Sequence, residues 1–169
     1  VQFLREVILP DGLERLEQGV FFNSNKLVSV TLPASLKYIG TYALNRSQAL
    51  KEILVNEGNP HFISMDGILY SRNFQTLIIY PQALESNSYK IHPETRVISD
   101  EAFLGAKLET LYLHENLEEI GSLNFVGSEL LEIIFQNNIN PNLKTLEDTF
   151  ENFSDDLTIY VNGEFYNSL

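Results

Sequence analysis

Leu27-Val28-Ser29-Val30-Thr31-Leu32-Pro33, followed by Leu36, Ile39-Gly40 and Ala43-Leu44, decides the fold, because the chain writes this line more than once. An earlier copy runs from Leu4 through Val7, Leu9, Pro10, Leu13, Leu16, Val20 and Phe21. A later one takes Leu108, Leu111, Leu113, Leu117, Ile120-Gly121 and Phe125. A period of about 22 or 23 residues is the signature of a solenoid, in which each unit buries its apolar face against its neighbours.

Within Leu-x-x-Val-x-Leu the last apolar pair alternates, as in a strand with one buried face. Val30 and Leu32 therefore point inward, and Ser29 and Thr31 outward. Successive strands of this kind are parallel, and a parallel pair needs a crossover of roughly a dozen residues or more. The rest of each repeat supplies it. Leu36-Ile39 forms a second short stretch, and Ala43-Leu44 or Ala102-Phe103 is expected to bury a helical or 3₁₀ turn. Glu17, Gly40, Ser99 and Gly121 share one slot, small or polar, that reads as a corner. Leu9, Leu32, Val55, Ile91, Leu113, Phe135 and Val161 form one inward ladder.

The third copy starts normally at Leu50, Ile53 and Val55 and then departs. Asn59-Pro60-His61-Phe62 is a turn signal. Ile68-Leu69-Tyr70 and Leu77-Ile78-Ile79-Tyr80-Pro81 flank a polar link, the pattern of a β-hairpin. Asn-rich Gln136 to Asn142 interrupts a later unit, and Leu157-Thr158-Ile159-Tyr160-Val161 reads as a last strand.

These residues resemble the BspA-like leucine-rich repeats, whose pattern is roughly LxxVxLPxxLxxIGxxAFxxC. The resemblance runs from Leu4 to about Val161. Ser64-Met65-Asp66-Gly67-Ile68-Leu69-Tyr70 with Leu77-Ile78-Ile79-Tyr80-Pro81 is similar to that family's hairpin variant, and Leu157 to Val161 to its closing strand. The family's frequent Cys is replaced by Ser24, Ser47, Ala106 and Ser128, so the slot asks for a small side chain. Its strand-ending Pro is kept at Pro10 and Pro33 but becomes Asn56, His92, His114, Gln136 and Asn162. The resemblance implies an α/β leucine-rich-repeat solenoid, right-handed, with a parallel sheet on one face. Short strands and 3₁₀ or helical turns make the other face, with one hairpin repeat near residues 62–81. A single domain is expected over 1–169, with repeats starting near 4, 27, 50, 86, 108, 130 and 156 and an irregular insertion at 56–85. The resemblance also implies a bacterial protein, secreted or displayed at the cell surface, that contacts proteins, other cells or glycans.

Composition narrows the function. A net charge of −12 opposes binding to nucleic acid or to anionic membranes, both of which need basic surfaces. No apolar run approaches the roughly 20 residues of a membrane span. With no cysteine there is no disulfide framework and no thiolate metal site. The chain opens on Val1, as a mature or trimmed chain would. Phe3 and Leu4 begin the array without a polar cap, so either further chain precedes them or two copies meet end to end.

Chemistry has little footing. His92 and His114 share one slot of adjacent repeats, where their rings could stack and, with Glu115, hold a metal. The alternative, supported by Asn56 and Gln136, is a solvent-facing slot that accepts any polar residue. His61 lies in a turn. Three scattered histidines make no nucleophilic constellation, the glycines form no phosphate loop, and no cofactor or metal is expected. Asn45-Arg46-Ser47 and Asn152-Phe153-Ser154 match glycosylation acceptors.

The outward strand positions are more telling. One row contains Ile8, Thr31, Leu54, Lys90, Tyr112, Ile134 and Tyr160; its neighbour contains Glu6, Ser29, Glu52, Ser88, Thr110, Glu132 and Thr158. A sheet face open to water is expected to be polar. Ile8, Leu54, Tyr112, Ile134 and Tyr160 break that rule, with Glu6, Glu52 and Glu132 beside them. These eight residues are the candidate binding surface, and β-propensity alone is the competing explanation. The expected function is a non-enzymatic extracellular module of adhesin type, binding a protein or glycan partner. A structural spacer in a larger surface protein is the alternative.

Overall fold

The computed structural model describes residues 4–146, 148–150 and 156–166. It is a leucine-rich-repeat solenoid of about seven turns with parallel sheets on two faces. The front face carries β1 (Glu6–Ile8), β3 (Ser29–Leu32), β5 (Glu52–Val55), β9 (Ser88–Lys90), β11 (Thr110–Leu113), β13 (Glu132–Phe135) and β15 (Thr158–Val161). The back face carries the shorter β2 (Arg15–Leu16), β4 (Tyr38–Ile39), β8 (Thr76–Ile79), β10 (Val97–Ile98), β12 (Glu119–Ile120) and β14 (Lys144–Thr145). A hairpin of β6 (Phe62–Met65) and β7 (Ile68–Ser71) interrupts the third turn, and β7 pairs antiparallel with β8 in turn, the pairing expected across the polar link. A final strand, β16 (Glu164–Tyr166), pairs antiparallel with β15.

The expected helical or 3₁₀ turns do not occur: among the described residues there is no helix. The backbone shows why. Each regular crossover places two left-handed residues four positions apart: Gly19 and Asn23, Tyr42 and Arg46, Glu101 and Gly105, Leu123 and Gly127. A residue in that region breaks a right-handed helix. The amide hydrogens are also spent elsewhere. Phe21 N–H donates to Ala43 O (2.8 Å), Glu101 N–H to Ser122 O (2.9 Å) and Gly105 N–H to Val126 O (2.9 Å), each in the following repeat. The crossover is thus stitched sideways to the next turn, and its own bonds are isolated turns, such as Phe22 N–H to Gly19 O and Ala106 N–H to Phe103 O, both 3.1 Å.

Both faces break at the hairpin. The front strands form one sheet in the order β1-β3-β5 and another in the order β9-β11-β13-β15-β16. On the back, β2-β4 stands apart from β12, β10 and β8, and β8 turns its other edge to β7. The hairpin caps β5: Ile53 N–H donates to Gly67 O (2.8 Å), and Ser64 Oγ donates to Ile53 O (2.6 Å). No edge of β5 is left for β9.

β7 is a partition through the core. Ile68 and Tyr70 pack with the C-terminal cluster, and Leu69 between them packs with the N-terminal one. All three are fully buried, which explains an unbroken apolar run in place of alternation. The inward ladder is buried at Leu9, Leu32, Ile91, Leu113 and Phe135 and half-buried at Val55 and Val161. A second spine of rings runs from Tyr80 to Phe103 (5.1 Å between centroids), Phe125 (6.2 Å) and Phe150 (5.4 Å). Burying rings of this size supplies much of the apolar area that holds stacked repeats together.

Buried polar side chains brace one turn to the next. Asn59 Nδ2 donates to Pro33 O and Leu36 O, while its Oδ1 accepts the amides of His61 and Phe62. Asn124 does the same with Ser99 O, Gly121 O and the Phe103 amide. Ser24, Ser47 and Ala106 fill the small slot in the core. Across the break, Arg46 Nη2 reaches the buried Glu101 Oε1 at 3.1 Å.

Candidate functional site

The front sheets set the geometry of the candidate surface. Register pairs Glu6 with Ser29 and Ser29 with Glu52, and likewise Ile8 with Thr31 and Thr31 with Leu54. In the second sheet Lys90, Tyr112, Ile134 and Tyr160 lie in register, beside Ser88, Thr110, Glu132 and Thr158. Neighbouring strands lie about 4.8 Å apart, so Tyr112, Ile134 and Tyr160 cover roughly 10 Å of sheet.

The eight residues are not one continuous stripe. Ile8 and Leu54, 79% and 39% exposed, sit with Glu6 and Glu52 on the N-terminal sheet. Tyr112, Ile134 and Tyr160, all half-buried, sit with Glu132 on the C-terminal sheet. The hairpin tip separates the groups: a side chain at Gly67 would meet Glu52 Cβ at 3.0 Å. In the C-terminal group Thr110 Oγ1 donates to Glu132 Oε2 at 3.3 Å. That carboxylate is held beside the apolar row.

The histidine slot is not solvent-facing where it was expected to be. His114 is buried, with Nε2 bonded to His92 O (3.0 Å) and Nδ1 accepting the Asn116 amide (3.2 Å). His92 is half-buried and stacks on Phe74 at 4.0 Å. The two imidazoles do not stack on each other, because the polar link of the hairpin repeat puts Phe74 against His92. His61 is exposed. Among the described residues no three His, Cys, Asp or Glu side chains gather as metal ligands.

The shifted acidities point to packing. Burial pushes the Tyr80 hydroxyl up to about 12 and raises Tyr70 and Tyr89 as well. Tyr70 and Tyr89 share a hydrogen bond of 2.5 Å inside the C-terminal core. Lys51 holds the exposed Glu85 carboxyl below the usual carboxylate range, and a hydrogen bond from Asn137 does so for Glu115. Both carboxylates are exposed.

Sequence reasoning missed a second surface on the back. Tyr38, Tyr42 and Phe22 are each about two-fifths exposed. Phe22 and Tyr42 pack at 6.2 Å, and the Arg15 guanidinium lies 4.1 Å over Tyr38. The available signal was Tyr42 standing where the preceding repeat has Gly19, at a left-handed position. Asn152-Phe153-Ser154 and Phe3 lie outside the described residues. In the other acceptor sequence, Asn45 is half-buried and Ser47 is buried, its Oγ donating to Phe21 O. No described helix is long and apolar enough to cross a membrane.

Solved structures share this architecture. The pneumococcal vaccine antigen PcpA is similar over 94% of this chain and 62% of its own length, at 22% identity and a TM-score of 0.63. A leucine-rich repeat protein from Eubacterium ventriosum matches 92% of this chain and 54% of its own, at 16% identity and a TM-score of 0.65. A leucine-rich cell surface protein from Faecalibacterium prausnitzii matches 94% and 59%, at 17% identity and 0.64. The chain therefore spans less than two thirds of the length of these proteins. No curated protein matches it. Residues 2–82 and 79–165 match the BspA type leucine-rich repeat region in 6 copies. With that match covering nearly all of its residues, the chain belongs to the BspA-type leucine-rich-repeat family.

Proposed function

We propose that this chain is a non-enzymatic binding module of an extracellular or cell-surface bacterial protein, and that it recognises a protein or glycan through its front sheet. One observation carries the reading: Tyr112, Ile134 and Tyr160 form an aromatic and aliphatic row on a face that the core does not need, with Glu132 fixed beside them. Tyrosine gives a flat apolar face with a polar tip, suited to protein hot spots and to sugar rings. Repeat solenoids supply such extended surfaces in general. The N-terminal patch of Ile8 and Leu54 with Glu6 and Glu52 is the secondary part of the surface. The membership of a surface-protein family and the likeness to a cell surface protein support this location.

The test is a solid-phase screen against extracellular-matrix proteins, plasma proteins and a glycan array. Wild type is compared with Tyr112→Asp/Ile134→Asp, checked for folding by circular dichroism. The expected result is saturable binding that the folded variant loses. Binding that the variant retains in full would remove the front face from consideration. No binding across the panel would favour the spacer reading.

A further inference from the structure

The break in the back face leaves a strand edge without a partner. β4 pairs with β2 alone, and both edges of β8 are taken by β10 and β7. Tyr38 N–H donates to Glu14 O and Gly40 N–H to Leu16 O. In a parallel ladder the residue between two such donors turns its own N–H and C=O to the opposite side. Ile39 therefore presents both groups away from β2. They face an open cleft of ≈ 350 Å³ that Ile39, Gly40 and Tyr42 line on one side. Val97, Asp100 and Glu119 line the other.

The chemistry of the cleft is specific. Gly40 and Gly121 bring no side chain into its walls. Tyr42 stands at the rim against Phe22, whose ring already carries the Arg46 guanidinium at 5.6 Å. Asp100 Oδ1 accepts the Ser122 amide at 2.8 Å. Among the described residues neither Asp100 nor Glu119 has an ion-pair partner, unlike Glu118, which faces Arg96 at 3.6 Å. The lining holds two carboxylates and no lysine or arginine, Lys144 pairing in register with Glu119 from the far side, and with an aromatic rim beside an open main-chain edge this suits a cationic strand.

We propose that this cleft takes an extended peptide segment bearing lysine or arginine, added to the free edge of β4. The main chain of the peptide satisfies Ile39, its cationic side chains meet Asp100 and Glu119, and one of them packs on Tyr42. A glycan offers no alternating N–H and C=O at strand spacing, so the edge favours a peptide. The site lies on the face opposite the front sheet, and its readout is separate from the front-face screen.

The experiment uses the ¹⁵N-labelled chain titrated with a blocked heptapeptide of alternating lysine and valine. Two further peptides have glutamate in place of lysine, or N-methyl groups on the valines. The expected result is a saturable shift of the Ile39 and Tyr42 amides with the lysine peptide. N-methylation should weaken binding about fivefold or more, as loss of main-chain pairing requires. Asp100→Asn/Glu119→Gln should weaken it by a similar factor, and the glutamate peptide should bind at least about tenfold less well. The Asn and Gln amides keep the shape of the cleft, and the spectrum itself reports whether the variant is folded. Equal binding of the lysine and glutamate peptides, indifference to N-methylation, or an unmoved Ile39 amide would overturn the proposal. So would a neutral chitohexaose that shifts these amides where the peptide does not.

Discussion

Gly121→Ala isolates the stacking of the repeats from every other source of stability. Gly121 has a backbone that any residue can adopt, so on local grounds alanine should stabilise the chain by about 0.4–1 kcal/mol through the unfolded state. The structure predicts the opposite sign. A Cβ at Gly121 would lie 2.5 Å from both Asp100 N and Asp100 Oδ1 and 2.7 Å from Ser99 C, all in the preceding repeat. Ordinary contacts of this kind fall near 3.5–4.0 Å, so the corner must open by about 1 Å. Overpacking on that scale costs about 1–3 kcal/mol. The opening also strains two bonds, Gly121 N–H to Ile98 O and Ser122 N–H to Asp100 Oδ1, both 2.8 Å, for about 1 kcal/mol more. The net loss is about 1–3 kcal/mol. At the scale of a domain this size that lowers the midpoint by roughly 2–12 °C. Gly40→Ala repeats the test in the other half of the array, where the new Cβ would meet Gln18 N at 2.5 Å. Urea and thermal melts followed by circular dichroism measure both. A variant as stable as wild type, or more stable, would refute the close approach of successive corners.

Other consequences of the structure are as direct. Tyr80→Phe should leave the fold intact and raise stability by about 1 kcal/mol in urea melts, because Tyr80 Oη is buried and no described residue bonds it. The buried tyrosines make the chain sensitive to alkali. Tyr80 is raised to about 12 when folded against near 10 when unfolded, so its contribution is complete below pH 10 and is lost as pH rises towards 12. That loss reaches about 2 kcal/mol, and Tyr80→Phe should reduce the slope of stability against pH in this window. Leu32→Ala removes a fully buried rung of the inward ladder and should cost about 2–5 kcal/mol. A loss below about 0.5 kcal/mol in the same melts would mean that Leu32 faces solvent. Arg46→Ala strands the buried Glu101 carboxylate across the break and should cost about 2 kcal/mol, measured against Glu101→Gln with Arg46 present.

The repeat and the alternation of the front strands were legible because they depend on spacing alone. Val30 and Leu32 are buried and Ser29 and Thr31 only partly so, as alternation requires. The antiparallel pair of β7 and β8 was legible too, since Ile68-Leu69-Tyr70 and the run from Leu77 flank a polar link, whereas β6 gave no such signal. The crossover was misread as helical because Ala43-Leu44 and Ala102-Phe103 look helix-compatible. What forbids a helix is left-handed backbone at Tyr42, Glu101 and Leu123, residue types that give no warning of it. The division of the front row was hidden for a different reason. It depends on Gly67 and Ser64 taking the hydrogen bonds that β5 would otherwise offer β9, a pairing choice that neither segment shows alone. The stacking of His92 on Phe74 has the same origin in the hairpin repeat. The back cleft exists only because β4 and β8 fail to pair, so periodicity, which predicts continuous pairing, could not find it.

The proposed function puts partner recognition on the C-terminal half of the front sheet. Hydroxyl-radical footprinting tests it most directly, comparing the free chain with the chain saturated by whichever protein or glycan the screen identifies. Reduced labelling is expected at Tyr112, Ile134 and Tyr160, with the back-face Tyr38 labelled as before. Protection confined to the back face, or none at the front row with the partner bound, would contradict it.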